Sequence, residues 1–149
     1  MKKLSLAEQQ VAWKNFTLMR QSLASALEAR LQATSGVSSA DFQILLALGE
    51  CPTGKLRGKD MVAVIGWEKS RISHQVSRME SRGLVEKCDC DDDARAAWIT
   101  LTEKGRELRE QAIEAHQKAL NELFFDALDA QELAAVNSLS TKLVERLKN

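Results

Sequence analysis

Proline occurs once and glycine seven times in 149 residues. Chain breakers this scarce cannot punctuate a many-stranded sheet, so helices are expected to dominate. Tyrosine is absent. Cysteine is sparse: Cys51, Cys88 and Cys90 make an odd number, in a chain long enough to bury a core without covalent staples. That points to a reducing, cytoplasmic setting rather than a disulfide framework. No apolar run approaches the roughly 18 residues of a membrane span. Met1-Lys2-Lys3 leads into polar residues, not into the apolar stretch of a signal peptide. Net charge is missing too, with 21 basic residues against 21 acidic ones.

That balance is uneven along the chain. Between Thr53 and Lys87 the basic residues Lys55, Arg57, Lys59, Lys69, Arg71, Arg78, Arg82 and Lys87 outnumber Asp60, Glu68, Glu80 and Glu86 by two to one. Asp89, Asp91, Asp92 and Asp93 follow at once. A basic middle in a neutral protein is a local footprint for a polyanion, although a solvated charged surface has the same composition.

Residues 1–149 read as a single domain of helices with one hairpin. Ser5-Leu6-Ala7-Glu8 has capping-box spacing and predicts a long helix to about Ala33. A second helix opens near Ser38 or Ser39 and stops at Cys51-Pro52. A loop leads to a short helix over Gly58 to Ile65, closed by Gly66 as a left-handed C-cap. After a further helix, Leu84 to Lys87 and Ala97 to Thr100 are β-rich runs about an acidic tip, which predicts a hairpin. Thr102 caps another long helix, and Asp129-Ala130-Gln131-Glu132 is a second capping box opening a terminal one.

The stretch "SRISHQVSRMES" carries the most information. With Ile72 set at zero on a helical wheel, Val76 falls at about 40° and Met79 at about −20°, a narrow stripe fit for a core. Ser70, His74, Ser77, Arg78 and Ser81 face away, Ser73 is expected to reach the groove or its phosphate walls beside them, and Gln75 lies on the flank. Two helices joined by a turn containing Gly66, then a hairpin, form the order of a winged helix-turn-helix. Arg78 suits guanine and Gln75 suits adenine. Lys69, Ser70 and Arg71 stand at a helix N-terminus, where backbone N–H groups already favour phosphate.

"WEKSRISHQVSRMESRGLVEK" followed by "DARAAWITLTEKG" resembles the recognition helix, wing and following helix of the MarR family of bacterial winged-helix regulators. The resemblance implies a mainly α winged helix-turn-helix fold, with dimerisation helices in residues 1–35 and 103–149 and a DNA-binding lobe in 36–102. It implies a homodimer on pseudo-palindromic double-stranded operator DNA, acting as a repressor. Arg95 resembles the wing arginine that enters the minor groove, and Asp93 the aspartate that braces it. A small aromatic or phenolic effector is implied between the dimerisation helices and the lobe. Trp13, Phe16, Met19 and Phe42 are candidate wall residues for it, or simply core.

Other motifs fail on inspection. Gly49 to Lys55 has most of a phosphate-binding loop, but Leu56 stands where a hydroxyl must hold Mg²⁺. Cys88-x-Cys90 lacks zinc-site spacing and has no histidine nearby, so neither metal nor cofactor is expected. The aspartates around it argue against a reactive thiol, which leaves redox regulation through Cys51, Cys88 or Cys90 as an alternative rather than the first reading. A winged-helix module that binds a protein partner through its basic face is a second alternative. No catalytic constellation is present, so an enzyme is not expected.

Overall fold

The computed structural model describes residues 4–88 and 97–148. Among the described residues six α-helices and three short strands follow one another as α1 (Leu6–Ser35), α2 (Ser39–Glu50), β1 (Lys55–Arg57), α3 (Gly58–Ile65), α4 (Lys69–Ser81), β2 (Val85–Cys88), β3 (Trp98–Leu101), α5 (Glu103–Leu123) and α6 (Ala130–Leu147). A single 3₁₀ turn at Phe125–Ala127 precedes α6. This is the mainly α winged helix-turn-helix expected from the sequence. No helix among the described residues is long and apolar enough to cross a membrane.

The chain divides into two compact units, one formed by Met1–Leu27 with Gln117–Asn149 and the other by Glu28–His116. The boundaries run inside α1 and α5, not at their ends. A helix is continuous in hydrogen bonding wherever its side chains pack, so loop positions in a sequence do not reveal such a division.

The Glu28–His116 unit has a continuous apolar core. Ile44, Leu45 and Leu48 of α2, Met61 of α3, Ile72, Val76 and Met79 of α4, and Leu84 after α4 are at most 1% exposed. Val85, Ile99 and Leu101 close the core from the sheet side. The sheet has the antiparallel order β1-β3-β2, with Leu56 opposite Ile99 and Val85 opposite Leu101. β1 lies where only a loop was expected. Three residues carry no periodicity to read, and β1 exists because β3 offers it an edge.

Local capping sets the helix starts. The Ser38 hydroxyl accepts from the Asp41 N–H while the Asp41 carboxylate accepts from the Ser38 N–H, a reciprocal box opening α2. Glu28 of α1 accepts from both the N–H and the hydroxyl of Ser39. Gly66, at φ 80°, ends α3 with its N–H on the Val62 carbonyl.

The other unit is built differently. Ser5 with Glu8 and Asp129 with Glu132 form the two expected capping boxes, opening α1 and α6. Among its described residues only Ala119 is buried. Leu6, Val11, Trp13, Leu18 and Met19 on α1, and Leu133, Val136, Leu139, Leu143, Val144 and Leu147 on α6, are all exposed.

Candidate nucleic-acid interface

α4 is placed by its apolar stripe and by locks at both ends. Ile72, Val76 and Met79 enter the core, and the opposite face follows from the helical period. At the C-terminus Gly83, at φ 72°, gives its N–H to the Glu80 carbonyl, and the Leu84 N–H bonds the Met79 carbonyl. That is a Schellman ending, its apolar residue being the buried Leu84. The start of α5 grips the same turn: Lys104 Nζ donates to the Arg82 carbonyl at 3.0 Å, and the Thr102 hydroxyl to that of Gly83 at 2.6 Å. Thr102 also accepts from the Gly105 N–H, so one residue caps α5 and pins α4.

The face so presented carries Lys69, Ser70, Arg71, Ser73, His74, Ser77 and Arg78, all exposed. Arg71 stacks its guanidinium on the Trp67 ring, 3.8 Å from the centroid. Glu68 occupies the N-cap without a side-chain capping bond, which leaves the first N–H groups of α4 open to a phosphate oxygen. Arg78 makes no ion pair among the described residues, which leaves a fork free for a base edge.

The structure turns Gln75 inward, unlike its neighbours on the face. It is only 8% exposed, and its amide donates to Asp41 Oδ1 at 2.6 Å. The flank position turns inward because a buried carboxylate from α2 receives the amide. Arg95 and Asp93 lie outside the described residues, as does Cys90.

The convergence of the remaining cations has no counterpart in the order of the sequence. Arg57, Lys59, Lys69 and Lys87 line a cleft of about 300 Å³ with Ser73 and the edges of Ile72, Val76 and Ile99; among the described residues no acidic side chain lines it, while Lys87 Nζ lies 3.4 Å from Glu80 Oε2. Arg57 lies over the Trp98 ring at 4.4 Å and Lys55 Nζ at 4.8 Å. Trp98 is therefore a half-exposed platform for cations rather than plain core. The Arg57 Nε is buried without a hydrogen-bond partner among the described residues. The excess of basic residues between Thr53 and Lys87 was the available signal. Only the antiparallel sheet brings Arg57 and Lys87 to the same cleft as Lys59 and Lys69.

The expected effector-wall residues occupy two settings. Trp13 and Phe16 stack at 5.9 Å on the exposed face of α1, with Met19 also exposed. Phe42 belongs to the core of the other unit, 5.0 Å from His116, whose pKa burial pushes down. Cys51 and Cys88 are free thiols. The Cys51 thiol is held below its ordinary pKa, chiefly by hydrogen bonding to Thr53. Gly49 and Glu50 end a helix rather than a strand, so a phosphate-binding loop has no place there. Among the described residues no cluster of three metal-ligating side chains occurs.

A model of the MarR family matches residues 35–96. Over 118 residues, 79% of this chain, the sequence is 23% identical to the transcriptional repressor MprA of Escherichia coli (strain K12), and the match spans 66% of that repressor's own length, just under two thirds. Among solved structures the chain is similar to AbsC, a MarR family transcriptional regulator from Streptomyces coelicolor, at TM-score 0.84 and 30% identity, with 99% of both chains covered. Sco3205, a MarR family regulator from the same organism solved in complex with DNA, gives TM-score 0.86 at 26% identity, covering 100% of this chain and 93% of the other. The organohalide-sensing regulator RdhR in its 2,4-dichlorophenol-bound form gives 0.78 at 25%, covering 97% and 82%.

Proposed function

Because the chain belongs to the MarR family of transcriptional regulators, we propose that it is a homodimeric, cytoplasmic repressor that binds pseudo-palindromic operator DNA and releases it when a small aromatic ligand binds. The observation that carries this reading is the outer face of α4, with hydroxyls, His74 and an Arg78 that makes no ion pair among the described residues, beside a cleft lined by four cations. A rod of this kind fits a major groove, and its N-terminal cations suit the phosphates that flank it. The DNA-bound state of Sco3205 supports the same assignment.

Pairing of two copies is supported by the unit that holds both chain ends. Helices with exposed leucine and valine stripes and one buried residue cannot stabilise themselves, whereas a second copy would cover both stripes. A dimer would set two α4 helices about 34–36 Å apart, one turn of duplex. Repression is supported by the likeness to MprA, and an aromatic effector by the phenol-bound RdhR. The ligand would act by population shift, favouring a spacing of the two α4 helices that no longer matches successive grooves.

The test is selection of bound duplexes from random DNA, followed by fluorescence anisotropy at several salt concentrations. A two-fold-related consensus is expected. With six to ten phosphate contacts, affinity should fall by about 10³ to 10⁵ between 50 and 200 mM salt. Absent or salt-insensitive binding would redirect the basic face to a protein partner.

A further inference from the structure

The buried carboxylate of Asp41 does more than close the capping box of α2: it joins the start of α2 to the middle and end of α4. It is 2% exposed. Beyond the box with Ser38, its Oδ1 accepts from Gln75 Nε2 at 2.6 Å and its Oδ2 from an Arg82 terminal nitrogen at 2.8 Å. The other Arg82 terminal nitrogen donates to the Gly36 carbonyl at 3.5 Å. Apolar packing leaves a helix some freedom to roll about its axis. A short, charge-assisted hydrogen bond has a narrow angular optimum and removes that freedom.

Gln75 is next to His74 and one turn before Arg78, so the roll fixed at Gln75 sets where both side chains point. Arg82 fixes the same helix one residue beyond its end. Resting on the DNA-reading role proposed for α4, we infer that Asp41 is a positioning residue for base reading, acting through Gln75 and Arg82 without touching DNA.

The test compares affinity for a duplex selected by the wild-type protein with affinity for a scrambled duplex of equal length at equal salt. Asp41→Asn is expected to lower this ratio tenfold or more. Binding to the scrambled duplex, and its salt slope, should stay as in the wild type, since no phosphate contact is lost. Gln75→Leu should act in the same direction. The double variant should be no worse than the poorer single one, as members of one network are coupled.

A ratio within twofold of wild type would overturn the inference, and so would losses that simply multiply in the double variant. A lowered melting temperature with selectivity intact would give Asp41 a purely structural role and overturn it too. If Asp41→Asn does not fold, Gln75→Leu decides alone, because it leaves the Ser38 box and the Arg82 pair in place. If the wild type selects no sequence at all, the failure lies in the DNA-reading role itself, and the inference falls with it.

Discussion

The Arg71 guanidinium lies 3.8 Å from the centroid of the Trp67 ring. Trp67 packs against the core beneath it, so a fixed aromatic plane holds a first-turn cation at the open end of α4. Trp67→Leu removes the π face while keeping apolar bulk. It should weaken binding to a selected duplex by about 0.5–1 kcal/mol, about two- to fivefold, with base preference unchanged. Anisotropy titration checks this. A changed base ranking would show that Trp67 does more than hold Arg71.

Arg78 and Lys59 should fail in different ways. Arg78→Ala is expected to cost about 1–3 kcal/mol on the selected duplex and to relax preference at one base position. Lys59→Gln should weaken all duplexes alike and lower the salt slope by about one. Binding to singly substituted duplexes across a salt series separates the two. If Lys59→Gln reorders the bases, the phosphate role of the cleft is wrong.

Gly105 packs so closely on the turn after α4 that an added Cβ would collide with the Leu84 carbonyl and reach the Leu101 side chain at 3.4 Å. Gly105→Ala should therefore destabilise by about 1–3 kcal/mol in urea unfolding, because backbone must move. Gly58 is the matched control. A Cβ there meets nothing within 4 Å, so Gly58→Ala should stay within about 1 kcal/mol of wild type.

Leu139 is 50% exposed on the apolar stripe of α6. If that stripe is covered by a second copy, Leu139→Asp should shift the protein to monomer at micromolar concentration and abolish tight operator binding together. Light scattering after size-exclusion chromatography reads the first effect. A persistent dimer would move the pairing surface away from α6.

Two groups should make stability fall in acid. Burial opposes ionisation of Asp41, but the hydrogen bond from Arg82, those from Ser38 and the Arg82 charge outweigh it, so the folded pKa lies below the ordinary one. Its contribution is present above about pH 4 and is lost as pH drops through the folded pKa. Asp41→Asn should remove that limb of the curve. His116 is also shifted down, by burial. The unfolded chain takes up its proton first, so stability should start to fall below about pH 6.5, and His116→Phe should flatten that region. Urea midpoints measured against pH would show both limbs. An unchanged curve in either variant would refute its assignment.

Much of the helical framework was legible because its causes are local. The Ser5–Glu8 and Asp129–Glu132 boxes, the Gly66 and Gly83 stops and the Ile72–Val76–Met79 stripe each act within a turn or two of chain. The exposed part of the candidate interface, from Lys69 to Arg78, was legible for the same reason: it is the complement of the buried stripe. Gln75 was not. At the flank of a wheel an amide turns in or out according to what waits inside, and the Asp41 carboxylate waiting there comes from 34 residues away.

The order of residues alone determined which segments coil, where each coil starts and stops, and which face of α4 is polar, since hydrogen bonding and apolar period inside one helix settle these. Packing between distant segments decided the rest. β1 forms only against β3, the cleft of Arg57, Lys59, Lys69 and Lys87 gathers only once the sheet closes beside α3 and α4, and the roll of α4 is set by a carboxylate from α2. Such contacts depend on chain segments meeting in space, and no window of sequence contains both partners.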